Sequence, residues 1–219
     1  MSKVAIFLFD ATGIMAEPWL NAGYECWIVD IKHPTAYDKG RVTRNENLVK
    51  VHADLRLSWM PPRNIVERVK FLFAFPPCTH LSNSGNKHKQ FKGHRKLAES
   101  ADYFATAVEL AEWLSVPYMI ENPVGSMSTY WRKSDYTFHP HYFTGYEPDD
   151  NYTKRTCLWT GCGFVMPERN ELEGLPEPDD RIHKAAPSSD RGDVRSVTPR
   201  GFARAVFDAN SRKDLRVVA

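Results

Sequence analysis

Short apolar runs recur along the chain, and each ends abruptly in polar or turn-forming residues. Val4 to Phe9, Tyr24 to Ile31, Leu48 to Val51, Phe71 to Phe75 and Val116 to Ile120 are nearly unbroken. That is the pattern of strands covered on both faces. Arg155 to Thr160 continues the series as a later strand. Between the runs the period changes. Met15 to Ala22 predicts a helix with Pro18 in its first turn, where a missing N–H costs little, and Arg63 to Val69 a short one. Leu97, Ala101, Phe104, Val108, Ala111 and Leu114 fall at spacings of three and four, predicting an amphipathic helix ended by Pro117. Arg195 to Ala209 predicts a turn and then a helix, with Thr198 at the N-cap and Pro199 at the first helical position. His33 to Lys50 reads as a polar loop. Gly125 to Asp150 is rich in aromatics, Pro and His without a period, and reads as a covering loop with short strands. Its rings either stack a base or form a local core. Strands alternating with helices predict an α/β fold, a Rossmann-like sheet with helices on both faces. One catalytic domain over residues 1–219 is expected, with 125–191 as an irregular covering or recognition segment before the last helix.

In open parallel sheets, ligands bind beyond the carboxyl ends of the strands, so the residues that end each run are the candidates. Pro76 and Pro77 stop the fourth run, since neither donates a ladder hydrogen bond, and Cys78 follows at once. Such a thiol is either reactive or a buried structural cysteine. Thr79, His80 and Ser82 line the small polar loop after it, and His80 either donates to a substrate or holds the loop. Glu121 and Asn122 end the strand before Pro123. Asp10, Thr12 and Gly13 follow the first strand. Asp30 ends the second; it either accepts from the ribose of a nucleoside cofactor or is an ordinary solvated carboxylate. Gly13 is the only glycine of the first loop, so there is no dinucleotide fingerprint, and a cofactor without a pyrophosphate, such as S-adenosylmethionine, suits it. Asp54 either meets the adenine amino group or caps a following helix.

Lys plus Arg total 29 and Asp plus Glu 27 in 219 residues, a net charge of +2 that does not by itself demand nucleic acid. The charge is uneven. No carboxylate occurs between Glu67 and Glu99, an interval that holds Lys87, Lys89, Lys92, Arg95 and Lys96. This run either contacts phosphate or is a solvated face. The four cysteines show no disulfide-framework spacing. Cys157, Cys162 and the scattered histidines lack the tight pairing of structural zinc sites, so no metal is expected. The apolar start is too short for a signal or membrane segment. A cytoplasmic protein without a membrane partner is expected.

A thiolate and a carboxylic acid at one site suit conjugate addition to a pyrimidine, with the basic loop helping to ionise the thiol. FPPCTH, YMIENP, KRTCLW and RSVTPRGFA, in that order, resemble the cytosine-5 methyltransferase family, especially its short phage-type DNA methyltransferases. The resemblance runs from Ala5 to about Ala209. It implies a class I methyltransferase sheet and methyl transfer from S-adenosylmethionine to carbon 5 of cytosine in DNA. By it, Cys78 is the nucleophile, Glu121 the acid on ring nitrogen 3, and Arg155 the arginine near the base. Asp10, Thr12, Gly13, Asp30, Ile31, Asp54, Leu55, Pro76 and Thr198 are the implied cofactor positions. Pro77, Thr79, His80, Ser82, Asn122, Lys87 and Lys89 are the implied substrate positions. The chain departs from the family in FDATGIMAEPW, which holds one glycine where the family is glycine-rich. It departs again in the short span from Arg155 to Thr198, where the family has a sizeable recognition region. A free deoxycytidine nucleotide therefore stands beside DNA as substrate, and a non-catalytic nucleic-acid-binding protein as the alternative of another class. The sequence leaves oligomeric state open.

Overall fold

The strand β1 (Val4–Leu8) is flanked on both sides by parallel partners, β2 (Glu25–Asp30) and β5 (Val69–Ala74). The computed structural model describes residues 2–35, 42–57, 59–82, 93–184 and 195–211. Along β1 the side chains alternate between two fully buried layers. Val4, Ile6 and Leu8 enter one core with Leu72, Ala74, Ile120, Phe104, Ala107 and Ala111. Ala5 and Phe7 enter the other with Trp19, Phe71, Phe73, Phe202 and Val206. The unbroken apolar runs have this cause: neither face of the central strands meets water.

The remaining strands are β3 (Val42–Asn45), β4 (Leu48–His52), β6 (Tyr118–Pro123), β7 (Tyr136–Phe138) and β8 (Thr156–Gly161). They form one eight-stranded sheet in the order β3-β4-β2-β1-β5-β6-β8-β7. Pairing is parallel from β4 to β6 and antiparallel at β3–β4, β6–β8 and β8–β7. The chain winds outward from β1 to β4, then returns past β1 to β5 and β6. Right-handed crossovers in opposite directions put helices on opposite faces. Accordingly α1 (Glu17–Asn21) lies against one face, while α2 (Arg63–Val66) and α3 (His94–Leu114) lie against the other. The reversal between β1 and β5 opens a crevice at their carboxyl ends, the switch point where such sheets bind ligands. Because β8 runs backwards, its beginning at Thr156 pairs with Pro123 at the end of β6. The reversed strand thus delivers Lys154 and Arg155 to the same edge.

Two short helices, α4 (Met127–Tyr130) and α5 (Arg181–Lys184), precede the final helix α6 (Arg200–Ser211), which packs beside α1. Phe202 of α6 stacks on Phe138 of β7, ring centroids 3.9 Å apart. Among the described residues no helix is long and apolar enough to cross a membrane.

Three details differ from the sequence expectation. The span His33 to Lys50 holds a strand, β3, hairpinned onto β4 with Glu46 in the left-handed region at the turn. It lies at the sheet edge, and none of its four residues is buried, so no apolar alternation marks it. On α3 the buried set is Ser100, Phe104, Ala107, Leu110 and Ala111. The stripe is rotated from the expected one: a small serine opens it, and Leu97 and Val108 are only partly buried at its flanks. The same helix starts at His94, three residues before the expected Leu97, and ends as expected at Leu114, with Ser115 in the left-handed region and its N–H on the Ala111 carbonyl.

Candidate active site

The Cys78 loop is held at both ends. Its N-terminal side is Pro76, whose carbonyl accepts a hydrogen bond from the buried Asn122 amide at 2.9 Å. On the other side, the Leu81 and Ser82 N–H groups both donate to the Cys78 carbonyl at 3.0 Å. Leu81 is fully buried, and its carbonyl accepts from Ser126 N–H. Gly125 permits this contact: a Cβ there would lie 2.1 Å from the Leu81 carbonyl oxygen. The ends of β5 and β6 are thereby laced together, with Cys78 on one and Glu121 on the other. Thr79 is exposed, and His80 and Ser82 are half-buried in the same turn.

Burial raises the Cys78 thiol above its ordinary pKa, and the Glu121 carboxylate raises it further. Lys154 and Arg195 pull it back down. Glu121 is itself pushed up by burial, with Lys154 opposing. These are two neighbouring groups, a thiol and a carboxyl, that both resist ionisation and influence each other's protonation. Tyr152, also buried, belongs to this neighbourhood; its hydroxyl is raised by burial first and by surrounding carboxylates, Glu121 among them. The help toward thiolate comes from Lys154 and Arg195. Lys87 and Lys89, expected to contact substrate, lie outside the described residues. Arg155 is exposed, and its charge acts on Cys157, where it lowers a thiol that burial raises. It is not among the cations that act on Cys78.

Across the switch point, Asp10 ends the β1 side. It is 4 % exposed, and its Oδ1 accepts from Thr12 N–H at 2.9 Å, Thr12 Oγ1 at 3.0 Å and Gly13 N–H at 2.7 Å. Gly13 has φ 74°, a conformation that suits glycine, and it closes this turn. Oδ2 of Asp10 is buried without a hydrogen-bond partner. Burial consequently raises the Asp10 carboxyl, opposed by the Gly13 and Thr12 donors. Phe9, immediately before it, is in the left-handed region at φ 57°. A bulky residue there costs about 1–2 kcal/mol, and such strain collects at functional sites.

Sequence reasoning did not single out His33 or His52, yet both build this wall. His33 is 4 % exposed, and its Nε2 lies 3.0 Å from the Asp10 carbonyl. His52 Nδ1 lies 2.7 Å from the His33 carbonyl. A carbonyl only accepts, so both ring nitrogens carry hydrogens. Burial holds His33 below its ordinary pKa. Only position beside Asp10, a long-range fact, distinguishes them from other histidines.

The other acidic strand tips have different fates. Asp30 accepts from Lys32 N–H at 2.7 Å through Oδ1 and stays half-buried beside Ile31, which is 54 % exposed. Asp54 is already occupied: Arg56 donates to it from its backbone, Nε and Nη2, the last at 2.6 Å, and this pairing holds the Asp54 carboxyl down. Arg56 also reaches Glu99, which Lys96 contacts at 3.0 Å. Leu55 is core. Thr198 is buried before α6, but the Gly201 N–H in the first turn is taken by Asp150 Oδ2 at 2.7 Å. Burial lifts Asp150 to about 6.

The fold therefore gathers Cys78, Glu121, Asn122 and Pro76 on one side of the crevice edge, and Asp10, Thr12 and Gly13 on the other. Pro77 is exposed between the two prolines' neighbours. No protein-family model and no curated protein matches the chain.

Proposed function

We propose that this chain transfers a methyl group from S-adenosylmethionine to carbon 5 of cytosine in DNA. The observation that carries this reading is the lacing of the Pro-Pro-Cys turn to the Glu-Asn strand end by Asn122 and Pro76. It sets a thiol near a carboxyl that burial pushes toward its protonated form.

The chemistry follows from those two groups. Cys78 loses its proton to solvent, and its sulfur bonds to carbon 6 of the ring. Glu121 shares its proton with ring nitrogen 3, so the ring's electron pair moves to carbon 5 instead of building charge on the ring. A neutral Glu121 also removes the like charge that opposes the thiolate, leaving Lys154 and Arg195 to stabilise it. S-adenosylmethionine, when bound, supplies the methyl group. Loss of the carbon 5 proton to solvent then expels the Cys78 sulfur, and the nitrogen 3 proton returns to Glu121.

The residues present fit the cofactor in most respects. The unpartnered Oδ2 of Asp10 is an acceptor that an amine or hydroxyl would satisfy. Asp30 suits a ribose, and exposed Ile31 offers an apolar flank to a purine. Asp54 fits less well, because Arg56 holds it.

A free deoxycytidine nucleotide is the second reading, favoured by the span after β8. There the chain folds back on its own body, with Gly145 N–H on the Asn170 carbonyl and Thr153 N–H on the Asp179 carbonyl, both at 2.7 Å. Trapping decides. The protein is incubated with labelled S-adenosylmethionine and either a duplex containing 5-fluorocytosine or 5-fluoro-deoxycytidine monophosphate. Fluorine blocks the final elimination. A duplex adduct that Cys78→Ser abolishes supports the DNA enzyme, and an adduct with the mononucleotide alone moves the substrate. Absence of both from the folded protein overturns the reading.

A further inference from the structure

Lys154 and Arg195 share two properties that surface cations rarely combine. Both are half-buried, and among the described residues neither makes an ion pair with a carboxylate. By contrast Arg44, Arg56, Arg68, Arg132, Arg181, Arg200 and Arg204 are all paired. Lys154 is anchored by donating to the Val197 carbonyl at 3.2 Å. That bond ties the start of β8 to the segment that carries Arg195. The register that pairs Thr156 with Pro123 sets Lys154 at the end of β6, which the Asn122–Pro76 bond ties to the Cys78 turn, so the two cations come from distant parts of the chain to the edge that carries Cys78.

Two partly desolvated positive charges that no carboxylate among the described residues pairs leave a favourable place for an anion. Glu121 does not fill it: among the described residues no ion pair joins its carboxyl to either cation. We propose that Lys154 and Arg195 form the phosphate-binding site for the nucleotide whose pyrimidine meets Cys78. The inference rests on the pyrimidine reading of that site and names the part of the substrate the two cations hold. An arginine supplies a planar fork for two phosphate oxygens and a lysine a point charge for a third. A mononucleotide and a DNA strand present the same phosphate ester.

The test uses alkylation of Cys78 by iodoacetamide, which does not depend on methyl transfer. Wild-type protein is titrated with deoxycytidine, deoxycytidine monophosphate or a short duplex, and the protection of Cys78 is read by mass spectrometry. Protection by the monophosphate at a concentration at least tenfold lower than by the nucleoside is expected if the source is a free nucleotide. Protection by the duplex alone locates the same phosphate in DNA. In either case Arg195→Gln and Lys154→Gln raise the protecting concentration at least tenfold, while Arg195→Lys and Lys154→Arg recover part of it. Unchanged protection in both Gln variants overturns the phosphate site, as does equal protection by nucleoside and monophosphate with none by duplex. Trapping on the same proteins separates the two ideas. An adduct with unaltered protection leaves the methyl-transfer reading standing without this site. Phosphate-dependent protection without any adduct leaves the site standing without that reaction.

Discussion

The two halves of the sheet's carboxyl edge are built in opposite ways. On the β5–β6 half, charges are left open: Cys78 and Glu121 are both pushed toward their neutral forms, and Lys154 and Arg195 pair with no carboxylate among the described residues. On the β2–β4 half, charges are closed. Asp54 is locked by Arg56, which Glu99 and Lys96 brace in turn. Asp10, between the halves, is of both kinds, with one oxygen fully used and the other unpartnered. A strand-tip position is therefore not enough to mark a functional carboxylate. What separates the candidates is whether the fold has already consumed their hydrogen-bonding capacity.

The largest effect that tests this contrast is at Glu121. Glu121→Gln keeps the shape, cannot share an acid proton and cannot carry the charge that raises Cys78. Adduct formation should fall by about two to three orders of magnitude, the usual contribution of a positioned acid. Alkylation of Cys78 at a fixed mildly alkaline pH should become faster, because the thiol then titrates lower. Loss of adduct together with slower alkylation would mean that Glu121 promotes the thiolate, and the open half would need a different account.

A second test concerns the clasp that docks α6 against the crevice. Asp150 has its carboxyl raised from 3.8 to about 6 by burial, with the Gly201 N–H opposing. The folded chain keeps a proton that the unfolded chain has already lost in that window. The contribution to stability is thus complete below about pH 4, declines as pH rises to about 6, and is flat above; it amounts to about 2 kcal/mol after solvent screening. Asp150→Asn retains an acceptor for Gly201 and cannot ionise. Its melting temperature should lose that acid-to-neutral decline in calorimetric scans. A variant with the same decline as the parent would assign the slope to other groups.

These contrasts also explain what was legible in the sequence. β1, β2, β4, β5, β6 and β8 were readable because burial on both faces demands apolar runs, and Cys78 and Glu121 followed because such runs end at the ligand edge. β3 was not, since Val42 to Asn45 lie at an edge that needs no apolar face. The burial of Ser100 on α3 broke the expected stripe for a similar reason: a small polar side chain fits where the helix approaches the sheet closely. Lys154 and Arg195 open the KRTCLW and RSVTPRGFA stretches, but no spacing brings the two together; the reversal of β8 and the Val197 contact do. Asp54 was readable as either ligand or cap, and that choice turned on Arg56, which no spacing rule ranks. Its carboxylate receives the Arg56 N–H at 3.1 Å, a capping contact.

The smallest effects separate Asp10 from Asp54. Asp10→Asn preserves the Oδ1 acceptor and changes only the unpartnered position, so stability should hold while calorimetric affinity for S-adenosylmethionine falls about tenfold, the loss of one charge-assisted hydrogen bond. Asp54→Asn should change that affinity less than about twofold, because its oxygens already serve Arg56. The informative companion is Arg56→Ala, which releases Asp54 without altering it. Unchanged affinity would confirm that Asp54 is a structural cap. A several-fold gain would mean that Arg56 competes with the cofactor for Asp54, so that the closed half of the edge opens only when its own arginine is displaced.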